Sequence, residues 1–190
     1  MLKSLLIASA MIVSVSAQAH TTVAEALVAS QLPALQAQAG TEGLDWRVGQ
    51  ENNYKLNMGG FLNGTMKMFV KSVDSEGIWM VQDIDLMIQK QKVEVLIDAA
   101  NGQIKKMLVN GKEQEPPKAD FEIVDQREDK ITVPAGTFET IYLKIKDNAN
   151  NGQESEQWIN PRDIPLSGMV QSKASSQLGP VTIQLTSFKK

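Results

Sequence analysis

The stretch ITVPAGTFETIYLKIKD, Ile131 to Asp147, decides the fold of this chain. Apolar and polar residues alternate on both sides of Pro134-Ala135-Gly136, which is the pattern of two half-buried β-strands. Pro134 and Gly136 stand at the second and fourth positions that a type I turn prefers. The alternation gives each strand one apolar face: Ile131 and Val133 before the bend, then Ile141, Leu143 and Ile145 after it. We therefore predict a tight bend between two strands.

Two catalytic or binding interpretations of this bend fail on its neighbours. A phosphate-binding loop needs more glycines and a following helix. A nucleophile elbow needs the pattern G-x-S-x-G, which is absent here. The residues after Gly136 are β-branched, aromatic and alternating, so the bend is interpreted as structural.

The same period of two continues through most of the chain after Gly43. Turn signals separate the alternating runs: Gly59-Gly60, Asn63-Gly64, Asp74 to Gly77, Asn101-Gly102 and Asn110-Gly111. After a break at Glu115-Pro116-Pro117-Lys118, further strands are predicted at about 121–125, 130–133, 137–146, 153–159, 168–174 and 180–188. The fold class is mainly β: a curved antiparallel sheet, either a half-barrel or an open barrel.

One N-terminal helix is predicted over residues 21–39. Thr22 and Glu25 have the spacing of a capping box, and apolar residues follow at helical intervals. Pro33 lacks an amide proton and should kink the helix or split it in two.

Residues 1–19 have the features of a secretory signal, with a basic start, a short apolar run and the cleavage pattern Ala17-Gln18-Ala19. We expect residues 20–190 to form one domain with a linker near 115–119, exported to the periplasm of a Gram-negative bacterium. The apolar run is too short for a transmembrane anchor. The mildly acidic net charge of −3 gives no support to nucleic-acid binding.

No cofactor or metal is predicted. The chain has no cysteine and one histidine, His20, which would become the N-terminus after cleavage. A copper site built on an N-terminal histidine needs a second imidazole. The loop Asp147 to Gly152 partly resembles a calcium loop, but Trp158 stands where the bidentate glutamate belongs. Asn63-Gly64-Thr65 matches a glycosylation acceptor and also a hairpin turn.

Two pairs of acidic residues are the strongest catalytic candidates. Asp83 and Asp85 share one face of a predicted strand, and Glu154 and Glu156 share another near Trp158. Carboxylate pairs perform acid–base chemistry when burial separates their pKa values. Such pairs more often form a solvated outer face, so we expect no enzyme, with an acid-dependent hydrolase as an alternative.

Six of the nine methionines fall in the first half of the predicted sheet: Met58, Met66, Met68, Met80, Met87 and Met107. Methionine fills irregular gaps and also suits surfaces that adapt to varied apolar partners. Ordinary core filling and an adaptable apolar cavity both explain the pattern.

Val133 to Thr140 resembles a motif in an exported Gram-negative family of unknown function, in which an A-G-T-F turn precedes a long strand. Three further stretches stand at comparable places: Ile97 to Gly102, Trp158 to Pro161, and Pro180 to Phe188. Such proteins are similar in shape to the LolA/LolB-like periplasmic lipoprotein carriers. The resemblance implies an incomplete barrel around an apolar cavity, with no catalytic residues to transfer.

The leading hypothesis is a non-catalytic protein that binds a lipid, an acyl group or a hydrophobic protein segment on the concave face of its sheet. The alternative is a scaffold or accessory subunit of a cell-envelope protein complex, which would bind through strand edges. The candidate lining residues are Met66, Met68, Met80, Leu86, Ile141, Leu143, Ile183 and Leu185.

Overall fold

The computed structural model describes residues 27–39, 43–87, 89–118, 120–149, 151–176 and 179–190. The predicted signal sequence, His20 and the first part of the predicted helix lie outside these residues. The described chain is mainly antiparallel β-structure with one short N-terminal helix, as predicted.

Within the described residues, one complete helix is followed by eleven strands. The helix, α1, spans Leu32–Ala39. The strands are β1 (Glu51–Met58), β2 (Leu62–Asp74), β3 (Gly77–Asp85), β4 (Lys90–Ile97), β5 (Ile104–Val109), β6 (Lys112–Gln114), β7 (Phe121–Val133), β8 (Gly136–Asp147), β9 (Gln153–Ile159), β10 (Met169–Ser176) and β11 (Gly179–Lys189).

All eleven strands form one sheet in the order β6-β5-β4-β3-β2-β1-β11-β10-β9-β8-β7. Strands β1 to β6 form one antiparallel meander and β7 to β11 a second. The pairing of β1 with β11 joins the two meanders in the middle of the sheet. The sheet is not closed into a barrel, and β6 and β7 are its edges.

The connection between the two edge strands shows how strongly the sheet curves. A flat sheet of this size would separate β6 from β7 by ten strand spacings, which is about 48 Å. The chain from Gln114 to Phe121 spans at most about 25 Å when fully extended. The sheet must therefore curl into a half-barrel that brings its edges towards each other, and residues 115–118 link them without forming a strand.

The predicted bend at Pro134 and Ala135 is confirmed. Val133 pairs with Gly136 across this two-residue turn, and the φ angle of Gly136 is 137°. The backbone amide of Ala135 donates to the carbonyl oxygen of Leu185 in β11, at 3.1 Å. Three strands separate β7 from β11 in the sheet order, so this contact also requires a curled sheet.

Inner and outer faces are set by the alternation that the sequence predicts. Leu185, Tyr54, Met66 and Ile84 are successive paired residues across β11, β1, β2 and β3, and each is at most 2% exposed. Their side chains share one face because paired residues of antiparallel strands point the same way. The core lies on this concave inner face.

The predicted helix is split, as Pro33 suggests. Residues 27–29 are helical, Ser30 and Gln31 form a turn, and α1 begins at Leu32. Pro33 lies in the first turn of α1, where a missing amide proton leaves no hydrogen bond unmade.

Three local predictions are wrong. Asn63-Gly64 lies inside β2, because the hairpin turn falls at residues 59–61 and a side chain at Gly64 would meet the Asp85 carbonyl oxygen. Residues 121–133 form one strand rather than two, with a bulge between Ile123 and Asp125. Met87 is 81% exposed in a bend after β3, with a φ angle of 65°, and so lies outside the sheet in which it was predicted.

Candidate functional site: the interior of the half-barrel

Seven of the eight predicted lining residues are buried on the inner face, each no more than 3% exposed. Six of them belong to one large apolar cluster: Met66, Met68, Met80, Leu86, Ile183 and Leu185. Leu143 belongs to a separate small cluster with Ala34, Ile145 and Ile159. The structure thus brings the first six together and places Leu143 beside them in a second group.

Ile141 differs from the other predicted lining residues because its side chain is 36% exposed. It shares the inner parity of Leu143 on β8 and pairs with Ile159 on β9. Ile123, on edge strand β7, has the same parity through its pairing with Ile145 and is 42% exposed. We term these two exposed isoleucines, one on edge strand β7 and one on its neighbour β8, the apolar rim.

Methionine side chains make up much of the inner face. The buried ones are Met58, Met66, Met68, Met80, Met107 and Met169, and all belong to the large cluster. Because methionine is unbranched and polarizable, such a wall repacks at low cost when its contents change.

The chain itself fills the half-barrel with residues 27–39, which we term the cover segment. Leu27, Val28, Leu35 and Ala39 belong to the large cluster, and Ala34 belongs to the small one. The cover segment therefore contacts both parts of the inner face. It lies next to the β4–β5 turn, since a Cβ atom built on Gly102 would lie 2.9 Å from the Leu35 carbonyl oxygen.

Two glutamines on different walls of the half-barrel hold the turn of the cover segment. Gln82 on β3 donates from Nε2 to Oε1 of Gln31, at 3.1 Å. Gln157 on β9 donates from Nε2 to the backbone carbonyl of Ser30. Four strands lie between β3 and β9 in the sheet order, so adjacent residues of one turn tie together distant parts of the sheet.

Several polar atoms in this region have no hydrogen-bond partner among the described residues. They are Nε2 of Gln31, Oε1 of Gln82, Oε1 of Gln157 and Oδ1 of Asn52, all on side chains at most 1% exposed. A buried polar atom without a partner costs roughly 1–3 kcal/mol. The packing of the cover segment is therefore less favourable than its apolar contacts alone suggest.

Sequence reasoning missed both glutamines, although a signal was present. Gln82 interrupts the apolar parity between Met80 and Ile84, and Gln157 stands two residues before Ile159. A polar residue at an inner-face position marks a side chain that needs a specific partner.

A second loop closes another part of the interior. Nδ2 of Asn52 donates to the hydroxyl of Tyr54 at 3.1 Å and to the Pro165 carbonyl at 2.8 Å. The Tyr54 hydroxyl donates to the Met169 carbonyl at 3.0 Å. Burial raises the pKa of the Tyr54 phenol well above its ordinary value. These bonds attach the loop between β9 and β10, including the fully buried Leu166, to the inner face.

The acid pair on β3 lies on the opposite, outer face. Asp83 and Asp85 line an open groove of about 590 Å³ together with Lys67, Lys90 and Lys92. The Lys90 ammonium and the Met87 backbone amide hold the pKa of the Asp85 carboxyl below its usual range. A general acid needs a raised pKa, so these contacts favour a charged outer surface.

The second acid pair is also on the outer face, with four strands between it and the first pair in the sheet order. Glu154 forms an ion pair with Lys144 at 2.7 Å, and Glu156 accepts from the Tyr142 hydroxyl at 2.8 Å. The two pairs do not converge on one site.

An aromatic group stabilises the outer face of strands β7 to β10. The Tyr142 and Trp158 rings meet edge to face, with centroids 5.1 Å apart. Arg127 stacks on Tyr142 at 3.7 Å, and Lys173 lies 5.1 Å above Trp158. The Trp158 indole donates to the Asp129 carboxylate at 2.8 Å. All the hydrogen-bonding groups of both rings are thereby used within the protein.

The calcium-like loop is a hairpin turn between β8 and β9, in which the Gly152 amide donates to the Asp147 carbonyl at 2.8 Å. Within the described ranges, no three carboxylate, imidazole or thiol side chains are grouped as metal ligands would be. Also within those ranges, no helix has the length and apolar character needed to cross a membrane.

No protein-family model matches the chain, and no curated protein matches it. Among solved structures, the chain is similar to a candidate exported protein with a YmcC-like fold from Bacteroides fragilis. The two are 12% identical, and the match covers 78% of this chain and 99% of the other, with a TM-score of 0.42. A likeness at this level carries no functional argument. It supports neither the resemblance to lipoprotein carriers nor the turn-motif family.

Proposed function

We propose that this chain is an exported, non-catalytic protein that binds an apolar ligand inside its half-barrel when the cover segment moves aside. One observation carries the proposal: a separate segment of 13 residues, 27–39, fills the concave face of a sheet that is not closed. A ligand with an acyl chain could replace the apolar contacts that Leu27, Val28 and Leu35 now make.

The way the cover segment is attached supports its displacement. Regular backbone pairing holds the eleven strands together, whereas the anchors of the turn at Ser30 and Gln31 are two side-chain bonds from Gln82 and Gln157. The unpartnered atoms beside these bonds lower the cost of breaking them. Moving the segment leaves the sheet ladder intact.

The methionines and the rim support uptake of a ligand of variable shape. Met66, Met68 and Met80 lie side by side on β2 and β3 and can change rotamer as the interior fills. The exposed side chains of Ile123 and Ile141 offer an apolar entry next to edge strand β7.

Export rests on the signal pattern of residues 1–19. Fractionation of the native cells should place the protein outside the cytoplasm, and N-terminal sequencing should begin at His20. A protein recovered in the cytoplasm with Met1 intact would contradict this part of the proposal.

The binding function is tested on gently purified full-length mature protein. Native mass spectrometry should show a bound lipid mass that organic extraction removes. The delipidated protein should then bind a fluorescent fatty acid in a saturable manner. If extraction yields no lipid and the delipidated protein binds no fluorescent fatty acid, the proposal is wrong.

Strand β7 favours a second candidate, a scaffold that binds an envelope protein. It is an edge strand of 13 residues, and Ile123 and Val124 beside its free edge are 42% and 43% exposed. An extended segment of a partner could add to it by β-pairing. A stoichiometric envelope partner in a pull-down, lost when Val124 is replaced by proline, would favour this function over lipid binding.

A further inference from the structure

From the two glutamines of the inner face, we infer that the ligand carries an uncharged head group bearing a hydroxyl or an amide. This inference rests on the proposed function and specifies the class of its ligand. Its site is formed by Gln82 on β3 and Gln157 on β9, which now hold the turn of the cover segment.

Each glutamine presents one donor group, the Nε2 amide, and one acceptor, Oε1, to the interior. The donors, Nε2 of Gln82 and Nε2 of Gln157, are engaged by the cover segment. The acceptors, Oε1 of Gln82 and Oε1 of Gln157, have no partner among the described residues. When the cover segment leaves, the two carboxamides therefore offer two donors and two acceptors.

A purely hydrocarbon ligand would leave these groups buried without partners. Each unmade hydrogen bond leaves a desolvated polar group unsatisfied, so an alkane would bind poorly however well it packed. Neighbouring side chains offer Gln82 few alternative hydrogen bonds, since it is paired in register with the apolar residues Met68 and Val93. A head group that accepts from the two Nε2 groups restores what the turn of the cover segment supplies. If it also donates, it satisfies the carboxamide oxygens that the turn leaves without a partner.

The charge of the interior excludes an anionic or cationic head group. Among the described residues, the buried polar side chains are all Asn, Gln, Ser or Thr, and none is Lys, Arg, Asp or Glu. A carboxylate or phosphate placed there would lack a counter-charge, which is unfavourable at low dielectric. Ser172, paired with Gln157 and 1% exposed, adds one further neutral hydroxyl to the site.

The same side chains thus serve two alternating partners. In the closed structure they bind Ser30 and Gln31, and in the loaded state they bind the head group. The acyl or alkyl chain then takes the apolar contacts of the cover segment. Acylglycerols, fatty alcohols and N-acyl amides meet these requirements.

The test compares three probes that share one acyl chain: monolaurin, laurate and methyl laurate. Each displaces a naphthylamine dye from the delipidated mature protein. Wild type should bind monolaurin at least about tenfold more tightly than methyl laurate or laurate, since one hydrogen bond of about 1.4 kcal/mol corresponds to that factor.

The double variant Gln82→Met/Gln157→Met keeps side-chain size and removes both carboxamides. It should bind monolaurin and methyl laurate equally, with monolaurin weakened about tenfold or more. Gln171→Met is the matched control, because Gln171 is 4% exposed but lies on the outer face, where it accepts from Gln184. It should retain the wild-type preference.

Circular dichroism and urea denaturation establish that each variant is folded. If the double variant does not fold, the inference is tested by the preference for monolaurin in the single variants Gln82→Met and Gln157→Met and in wild type. Two results would overturn the head-group inference and leave the proposed function standing. One is equal binding of all three probes by wild type. The other is a preference for monolaurin that survives in the double variant. Failure of every probe and of the dye refutes the proposed function itself.

Discussion

The backbone amide of Ala135 donates a hydrogen bond to the carbonyl oxygen of Leu185, 3.1 Å away. Ala135 belongs to the turn between β7 and β8, and Leu185 lies on β11 in the middle of the sheet, with its side chain fully buried. Ala135 also packs against the large cluster. This hydrogen bond and the Ala135 methyl group, together with Val133 in the same cluster, hold the tip of the edge hairpin against the centre of the half-barrel.

Ala135→Pro should destabilise the protein by about 2 kcal/mol, because it removes the donor to the Leu185 carbonyl. It also forces Pro134 out of the helical backbone region that the turn uses. Pro134→Ala keeps the bond and should cost less than about 1 kcal/mol. Urea denaturation measures both free energies of unfolding. Equal losses in the two variants would show that the hydrogen bond contributes nothing.

Gly102→Ala should loosen the cover segment. The new Cβ atom would lie 2.9 Å from the Leu35 carbonyl oxygen and 3.1 Å from the Ala39 Cβ atom, so the segment must shift. Hydrogen exchange of residues 27–39 should become faster, and dye uptake should become faster with it.

Gly111→Ala is the matched control for this change. Both glycines follow an asparagine in a hairpin turn with positive φ, 70° for Gly102 and 78° for Gly111. The backbone strain of alanine, about 1 kcal/mol, is therefore shared. A Cβ atom at Gly111 meets nothing within 4 Å. If residues 27–39 exchange faster in Gly102→Ala than in Gly111→Ala, the difference is due to the contact with Leu35. Equal exchange rates in the two variants would contradict the prediction.

The sheet could be predicted from sequence because apolar and polar residues alternate along β1 to β5. This alternation can be recognised without knowing which strands pair with one another. The sequence did not reveal that β7 is one continuous strand. Both faces of this edge strand are exposed over much of its length, and residues 124–130 show no alternation of apolar and polar residues. The glutamine site was hidden for another reason. Gln82 and Gln157 are 75 positions apart in the chain, and only the curl of the sheet brings both to the turn at Ser30 and Gln31.

Neighbouring inner-face residues on β8 should respond very differently to truncation. Leu143→Ala should cost about 3 kcal/mol, because Leu143 is 2% exposed and truncation leaves a cavity in the small cluster. Ile141→Ser should cost less than about 1 kcal/mol, since Ile141 is already 36% exposed. If Ile141 forms part of the entry rim, its variant should also slow dye uptake. Urea denaturation and stopped-flow fluorescence measure the two effects.

Alkaline pH should unfold the protein together with ionisation of its two tyrosines. Burial raises the pKa of Tyr54, and both burial and the hydrogen bond to Glu156 raise that of Tyr142. A raised pKa in the folded state favours the protonated phenol. The contribution of the two tyrosines to stability is therefore constant below the unfolded pKa of about 10 and is lost as the pH rises above it. Ultraviolet absorbance of phenolate and circular dichroism should change in one transition. Phenolate formation in a protein that stays folded would contradict this.

Acid should remove a stabilising contribution from Asp129. The hydrogen bond from the Trp158 indole, together with that from the Lys130 backbone amide, holds the pKa of the Asp129 carboxyl below its usual range. A lowered pKa in the folded state stabilises the protein above the unfolded pKa of about 3.9, and this contribution disappears as the pH falls through the folded value. Asp129→Asn should therefore be less stable than wild type near neutral pH, and the difference should shrink in acid. Urea denaturation across this pH range measures it, and a difference that does not change with pH would show that the indole bond leaves the ionisation of Asp129 unaffected.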